Sequence, residues 1–402
     1  MKILIVSVAL NISGSATGVL IGNLIDVLHR KKCEVNCVTV KNDLYDPDLS
    51  EYKGALVYHA NYVSNIKNKK KRPREFIYAV IQKLTKHKKK VKETPYDNWR
   101  VKLLFKKLKH IHAEKYDAII AVCASHDAME AVIRFKEHIA CKAKAILVQF
   151  DPLSENFSLK NRPQKDLIAF EKRLYEKSNG VFSASFILQH KSDEWLSDKV
   201  KALELPAITR KNCSEKEDYY INCLYAGDLY RGIRDPYFML ELFSKFKNDK
   251  IRLFVLSDSE KDLLQEYAKG KLKNRLYVMG RLPETECNEL MGKADVFVNI
   301  GNKINNQLPS KILNYMCYGK MILNIYSIPD CPTLSYMNKY SLSLNIDDKE
   351  ILTEAKVAKI EESIVSHYRE RIDFDMVSKT FYECTPEYVT EQILSVLGRE
   401  NH

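Results

Sequence analysis

The chain has 402 residues, 45% of them hydrophobic and 29% charged, a composition that fills two globular cores and excludes a disordered chain. The net charge is +12, but 17 Lys and Arg against three acids fall between Lys67 and Lys109, so that segment carries +14 and the remainder −2. No run of about 18 apolar residues occurs, which argues against a membrane-spanning helix. Ten cysteines without a C-x-x-C pair, several inside apolar runs (Cys37, Cys123, Cys223), argue against a disulfide framework or a zinc site. They point to a reducing compartment, the cytosol.

The chain opens on one Lys and a short apolar run, MKILIVSV. A signal peptide opens similarly, but the β-branched residues and the lack of a small-x-small cleavage site read as a buried first strand. Further strands are expected at Val35–Val40, Ala55–Tyr58, Ala118–Val122, Ala145–Phe150, Val181–Ala184 and Ala202–Leu205. Helical patterns at Val19–Arg30, Asp127–His138 and Lys165–Lys177 lie between them. Pro206–Asp218 is polar and aperiodic and reads as a linker. The rhythm then restarts, with strands at Tyr220–Tyr225, Arg252–Leu256, Leu276–Met279, Asp295–Asn299, Met321–Ile325 and Ser341–Leu344. Helices are expected at Pro236–Phe246, Ser259–Lys269, Pro283–Lys293, Ser310–Tyr318, Glu350–Tyr368 and Pro386–Leu397. Strands alternating with helices give parallel sheets. The expected fold is therefore α/β with two doubly wound, Rossmann-like domains, residues 1–205 and 219–380. In such sheets ligands bind beyond the carboxyl ends of the strands, so the residues that follow each strand are the candidates for chemistry.

In the first half, NISGSATG joins a strand to a helix and supplies Gly14 and Ser15. It is not a G-x-G-x-x-G dinucleotide fingerprint. VCASHDAME places His126 and Asp127 where a strand gives way to a helix, and QFDP places Asp151 after the next strand. His126 can act as a base or bind a ligand, Asp127 can act as a base, Asp151 can bind ligand hydroxyls or cap a turn, and each can serve structure alone. In the second half, YAGDLYRGIRDP offers Gly227, Arg231 and Arg234, and Arg suits bidentate phosphate contact. LYVMGRLPETE offers Gly280, Arg281 and Leu282. NIGNKINNQLPSKILNYMCYGK follows an apolar strand. It places Pro309 in a first helical turn, Ser310 and Lys311 at the positive end of that helix, and Asn314 and Tyr318 on one face of it.

That last string resembles the Q-x-P-S-K-x-x-E-Y-M-x-x-G-K signature of bacterial polysaccharide glycosyltransferases of the GT-B fold, family 4 (group 1) type. Gln307, Pro309, Ser310, Lys311, Tyr315, Met316, Gly319 and Lys320 match. Asn314 and Asn306 stand where the family often carries the two glutamates of an E-x7-E pair, the second of which binds the donor ribose. The resemblance implies GT-B architecture, two lobes facing a cleft with the final helix, 385–402, returning to the first. It implies an acceptor side in the first domain, whose first loop sets Gly14 and Ser15 beside the donor diphosphate, and a nucleotide sugar held by the second, through Gly227, Arg231, Arg234, Gly280, Arg281, Leu282, Asn306, Gln307, Ser310, Lys311 and Asn314. Arg234 fits the family's Y-x-G-x-x-x-x-x-R-x-P segment better than Arg231 does. The implied reaction is metal-independent transfer from a UDP- or GDP-linked sugar to a glycan or lipid-linked acceptor in surface polysaccharide synthesis, with retention. If it inverts, His126, Asp127 or Asp151 must take the acceptor proton. A nucleotide-sugar epimerase and a non-catalytic sugar-nucleotide binder remain the alternatives.

The basic segment sets Phe76, Val80, Leu84, Trp99, Leu104 and Leu108 among lysines. Such amphipathic stretches bind anionic membrane surfaces, consistent with a lipid-linked acceptor. No nucleic-acid-binding motif accompanies the charge, and nucleic acid is not an expected partner.

Overall fold

The short β-branched runs and the amphipathic periods between them condense into two parallel sheets, each flanked by helices. The computed structural model describes residues 1–10, 15–41, 50–61, 94–123, 125–139, 141–156, 164–189, 191, 198–214 and 219–398. It divides into two compact units, residues 1–206 with 386–402, and residues 207–385.

The first unit runs β1 (Lys2–Val6), α1 (Ala16–Arg30), β2 (Glu34–Lys41), β3 (Glu51–Tyr52), β4 (Ala55–Asn61), α2 (Asn98–His110), β5 (Ala118–Cys123), α3 (His126–His138), β6 (Lys144–Gln149), α4 (Gln164–Lys177), β7 (Gly180–Ala184), α5 (Ser185–Leu188) and β8 (Val200–Leu203). The sheet order is β3-β4-β2-β1-β5-β6-β7-β8. All neighbours are parallel except β3 and β4. Strand order reverses between β1 and β5, the switch point at which doubly wound sheets open a crevice. Ser15 caps α1: its Oγ accepts from Gly18 N at 2.9 Å and donates to Ala9 O at 2.9 Å.

The apolar stripe of α2 lies in the core. Val101, Leu104 and Leu108 are fully buried with Ala128, Val132 and Phe135 of α3. This corrects the expectation that Trp99–His110 offers its apolar face to lipid: Leu104 and Leu108 are taken by α3, and Trp99 packs on the same core. Lys102, Lys106 and Lys109 remain exposed. Residues 67–93 of the basic segment, with Phe76, Val80 and Leu84, lie outside the described residues.

The second unit runs β9 (Ile221–Ala226), α6 (Tyr237–Lys245), β10 (Ile251–Leu256), α7 (Lys261–Lys269), β11 (Leu276–Val278), α8 (Glu284–Lys293), β12 (Val296–Ile300), α9 (Lys311–Met316), β13 (Met321–Tyr326), α10 (Pro332–Met337), β14 (Ser343–Asp347), α11 (Glu354–His367) and α12 (Phe374–Thr380). Its all-parallel order, β11-β10-β9-β12-β13-β14, has its switch point between β9 and β12. In-register Asn299, Asn324 and Asn345 hydrogen-bond across β12, β13 and β14 at 2.8 Å each. This ladder pins the register, because a slip would strand buried amides. Ala207 and Ile208 donate to Cys384 O at 3.0 Å, and Ser214 N donates to Gly292 O at 3.2 Å. The segment from 207 to 214, read as linker, is thus bonded into the second unit.

The last helix, α13 (Pro386–Val396), belongs to the first unit. Arg30 and Lys31, at the end of α1, pair with Glu387 at 2.6 Å and Glu391 at 3.0 Å. Lys144 Nζ donates to Val396 O at the other end, at 3.2 Å.

Candidate functional site

In the second unit the loops after β9 and β12 meet at the switch point. The chain after β9 folds back on itself: Tyr230 N donates to Arg234 O at 3.0 Å and Arg234 N to Tyr230 O at 2.8 Å, with Gly232 at φ +94° in the turn. Half-buried Arg234 donates from Nε to Asn302 Oδ1 at 2.8 Å and from a terminal nitrogen to Asp228 O at 3.3 Å. Asn302 is fully buried after β12 and donates to Gln307 O at 2.8 Å. Lys303 N donates to Ile233 O at 2.9 Å. A Cβ on Gly227 would make only ordinary contacts, 3.5 Å from the Tyr225 hydroxyl and 3.8 Å from the Arg234 guanidinium, and it is the backbone, at φ +157°, that favours glycine there. Burial pushes the Tyr225 hydroxyl up to about 12, against the pull of the adjacent Arg234. A guanidinium fixed in this way presents a rigid fork of donors. Arg231 differs: its side chain is 68% exposed and its Nε lies 2.8 Å from Glu260.

The signature string divides by burial. Tyr315 is fully buried and stacks on Phe297, with centroids 4.4 Å apart and planes at 4°. Its hydroxyl accepts from Ala226 N at 2.8 Å and lies 3.2 Å from Ala226 O, which ties α9 to the end of β9. Burial raises this hydroxyl far above its ordinary pKa. Lys320 is buried, and Nζ donates to the carbonyls of Met291 at 3.3 Å, Gly292 at 2.5 Å and Ala294 at 2.6 Å. A cation thus satisfies the orphan carbonyls at the negative end of α8. Gln307, Ser310, Lys311 and Asn314 are half-exposed, and Asn306 is buried. Ser310 starts α9 without capping it through its side chain. Asn314 Nδ2 lies 3.9 Å from Met291 Sδ. Lys311 opposes the rise that burial imposes on the Cys287 thiol.

Gly280 follows β11 at φ +68°, and a Cβ there would meet Asp258 Oδ1 at 3.3 Å. Arg281 is exposed and Leu282 half-exposed. The Lys261 hydrogen bond, joined by the Arg281 backbone N–H, holds Asp258 below the usual carboxylate range. Gly227, Arg234, Gln307, Ser310 and Lys311 thus belong to loops of adjacent strands, β9 and β12. Gly280, Arg281 and Leu282 follow β11, two strands from β9. Asn302, which fixes Arg234, is not singled out by the sequence reading; its only signal there is a polar residue directly after a strand.

In the first unit, Gly14 lies outside the described residues and Ser15 serves as the α1 cap. Asp127 is 3% exposed. Its Oδ2 accepts from Arg100 and from Ser125 Oγ at 2.6 Å each, and its Oδ1 accepts from Asp97 N at 2.8 Å. Both oxygens are therefore engaged in anchoring the start of α2. Asp151 is half-buried after β6. His126, at the start of α3 after β5, is buried, and its Nε2 has no hydrogen-bond partner among the described residues. Burial lowers its pKa to about 4.

That shift sets a pH dependence. Between the ordinary histidine value and about 4 the unfolded chain binds a proton that native His126 refuses, so stability falls as pH falls through that window. The full effect is about 3 kcal/mol. His126→Gln is expected to flatten the denaturation free energy between pH 6.5 and pH 4.5 by about 2 kcal/mol, the part of that effect which falls in this window, as measured by urea unfolding at each pH. An unchanged slope would remove the buried neutral imidazole from the account.

Two Rossmann-type units in tandem, with the final helix returning to the first, make up the GT-B architecture expected above. Comparison with solved structures agrees along nearly the whole chain. Sucrose-phosphate synthase from Thermosynechococcus elongatus is 13% identical, with a TM-score of 0.67 over 98% of both chains. S. aureus TarM, in complex with fondaparinux, α-GlcNAc-glycerol and UDP, is 10% identical, with a TM-score of 0.66 over 99% of this chain and all of that one. The catalytic domain of starch synthase IV from Arabidopsis thaliana, bound to ADP and acarbose, is 12% identical, with a TM-score of 0.59 over 99% and 98%. At these identities the likeness establishes the fold. No protein-family model matches the sequence, and no curated protein matches it. Among the described residues no helix is long and apolar enough to cross a membrane.

Proposed function

We propose that this chain is a glycosyltransferase that moves a sugar from a nucleoside-diphosphate donor to a glycan or lipid-linked acceptor. The observation that carries the reading is Arg234, fixed by Asn302 and Asp228 where the loops after β9 and β12 meet. The second loop runs on to Ser310 and Lys311 at the start of α9. As the anomeric C–O bond breaks, negative charge develops on the departing diphosphate. Arg234 and Lys311 oppose that charge without reorganising, the preorganised stabilisation that lowers such barriers. Nucleotides in two of the similar structures, UDP with TarM and ADP with starch synthase IV, support a nucleoside diphosphate as the bound product. Gly280, Arg281 and Leu282 are assigned to the base, and Gln307, Asn306 and Asn314 to the ribose and sugar. The two Asn side chains offer hydrogen bonds without charge. In the first unit the neutral ring of His126 receives a sugar or acceptor hydroxyl. We assign retention and no metal to the reaction. The enzyme is cytoplasmic, with the exposed lysines of α2 facing an anionic membrane surface by charge, not insertion.

Thermal unfolding with a panel of UDP, GDP and ADP tests this. The right nucleotide at 100 times its dissociation constant adds roughly 2.7 kcal/mol of stability. Lys311→Ala is expected to keep the unliganded unfolding temperature and lose most of the ligand-induced rise. If no nucleotide stabilises the wild-type chain, the sugar-transfer reading fails.

A further inference from the structure

The loop after β9 carries a carboxylate that the diphosphate chemistry above does not use. Asp228 follows Gly227 and is half-buried. Its main-chain carbonyl accepts from Arg234 at 3.3 Å and from the Tyr225 hydroxyl at 3.1 Å. Among the described residues its side chain meets the Tyr230 hydroxyl, 3.4 Å from Oδ2, and makes no ion pair. Neighbouring carboxylates in the loops after β10, β13 and β14 are occupied. Asp258 pairs with Lys261 at 2.9 Å and Glu260 with Arg231 at 2.8 Å, Asp330 accepts from Asn305 at 2.6 Å, and Asp348 accepts from Ser327. Leu229 is buried and anchors the loop, whereas Tyr230 is 49% exposed. That ring is nonetheless held: the Tyr230 backbone pairs both ways with Arg234, and the guanidinium lies 6.0 Å from the ring centroid. Burial, and then the adjacent Asp228 charge, raises the Tyr230 hydroxyl, so it stays a donor.

We infer that Asp228 and Tyr230 form a subsite for the ring hydroxyls of the donor, the carboxylate accepting from hydroxyls while the tyrosine ring packs on the apolar face of the sugar. This rests on the donor reading above and extends it to two residues outside the signature string. A carboxylate beside a bound diphosphate repels it, so phosphate binding alone gives no reason for Asp228. Hydroxyls do: O–H donors to a carboxylate make short, charge-assisted bonds. Tyr230 adds a rigid, exposed aromatic surface next to that acceptor, and small-molecule sites combine such surfaces with a few placed polar groups. Asn306 and Asn314, assigned above to the ribose and sugar, are uncharged, and Asp228 adds the one charged acceptor to that set. Ribose and transferred sugar share this chemistry, and the choice between them is open to direct measurement.

The test is titration calorimetry of the full chain with inorganic pyrophosphate, UDP, 2′,3′-dideoxy-UDP and the UDP conjugates of glucose, galactose and N-acetylglucosamine. Wild type, Asp228→Asn and Tyr230→Ala are compared. Asp228→Asn keeps the main-chain carbonyl that holds Arg234, so pyrophosphate is expected to bind at least as tightly as to wild type. The ligand that bears the recognised hydroxyls is expected to bind about tenfold or more weakly, the loss of one charge-assisted hydrogen bond. Tyr230→Ala is expected to weaken the same ligand about 3- to 10-fold and to leave pyrophosphate near wild type. A loss seen with UDP but not with 2′,3′-dideoxy-UDP assigns the subsite to the ribose. A loss confined to a UDP sugar assigns it to the transferred sugar. Should Asp228→Asn not fold, Tyr230→Ala, at an exposed position, carries the same comparison. Equal effects on every ligand that binds, or none, overturn the proposal and leave the donor reading standing. If wild type binds pyrophosphate but no UDP ligand, and no other nucleotide of the panel, the donor reading falls and this inference with it.

Discussion

Arg234→Ala is expected to turn over a nucleoside-diphosphate sugar about 10²–10³-fold more slowly than wild type, the usual cost of deleting one preorganised donor. The loss should fall on kcat more than on KM, because the cation meets more charge on the departing diphosphate than on the intact donor. The fold should survive: what is lost is a hydrogen bond to Asn302 and one to Asp228 O, about 1 kcal/mol each. Arg234→Lys should recover only part of the rate, since a point charge cannot reproduce the fork. Arg231→Ala is the control in the same loop. Its ion pair with Glu260 is solvent-exposed on the arginine side, and such pairs contribute about 0–1 kcal/mol, so turnover and stability should stay near wild type. Steady-state kinetics with the donor chosen by the nucleotide panel decides the matter. A rate for Arg234→Ala within twofold of wild type would show that the guanidinium does not meet the leaving group.

The architecture was legible because it rests on periodicity. Runs such as Ile221–Ala226 and Val296–Ile300 are buried on both faces and read as uninterrupted apolar strands. The helices between them show one apolar stripe each. What escaped is short or depends on distant partners. The two-residue β3 and the six-residue α10 are too brief for a period to emerge. The buried Glu171–Lys191 ion pair joins residues 20 apart, one on α4 and one past the end of α5, and only the tertiary fold makes them neighbours. Asn302 looks like an ordinary turn residue until Arg234 is placed against it. The stripe of α2 was visible but its partner was not, since a lipid surface and α3 demand the same amphipathic pattern. The signature string was the most informative stretch, yet the sequence does not separate its residues by task. Burial does: Tyr315, Gly319 and Lys320 hold α8, α9 and the ends of β9 and β12 in place, while Gln307, Ser310 and Lys311 retain exposure to a ligand.

That division makes Gly319→Ala the most destabilising of the changes considered, with an expected loss of about 3–5 kcal/mol and no direct effect on ligand contacts. Gly319 sits at φ +65° between α9 and β13, a conformation that costs an L side chain about 1–2 kcal/mol. An added Cβ would also overlap the Ile372 carbonyl oxygen. Ile372 cannot easily retreat, because its N–H donates to Gly319 O at 2.8 Å. Relief therefore means breaking that bond or shifting the start of β13, where buried Lys320 already holds three carbonyls. Domains are commonly stable by about 5–15 kcal/mol, so the variant should fold at low temperature and unfold at much lower urea concentration. Lys311→Ala is its mirror image. In the folded fraction Gly319→Ala should keep its nucleotide affinity, whereas Lys311→Ala should keep its stability and lose that affinity. Urea unfolding and nucleotide titration of the two variants side by side give this crossed pattern if the string combines a scaffold with a phosphate contact. Wild-type stability in Gly319→Ala would contradict the close approach of Ile372, and with it the path of the chain from α9 into β13.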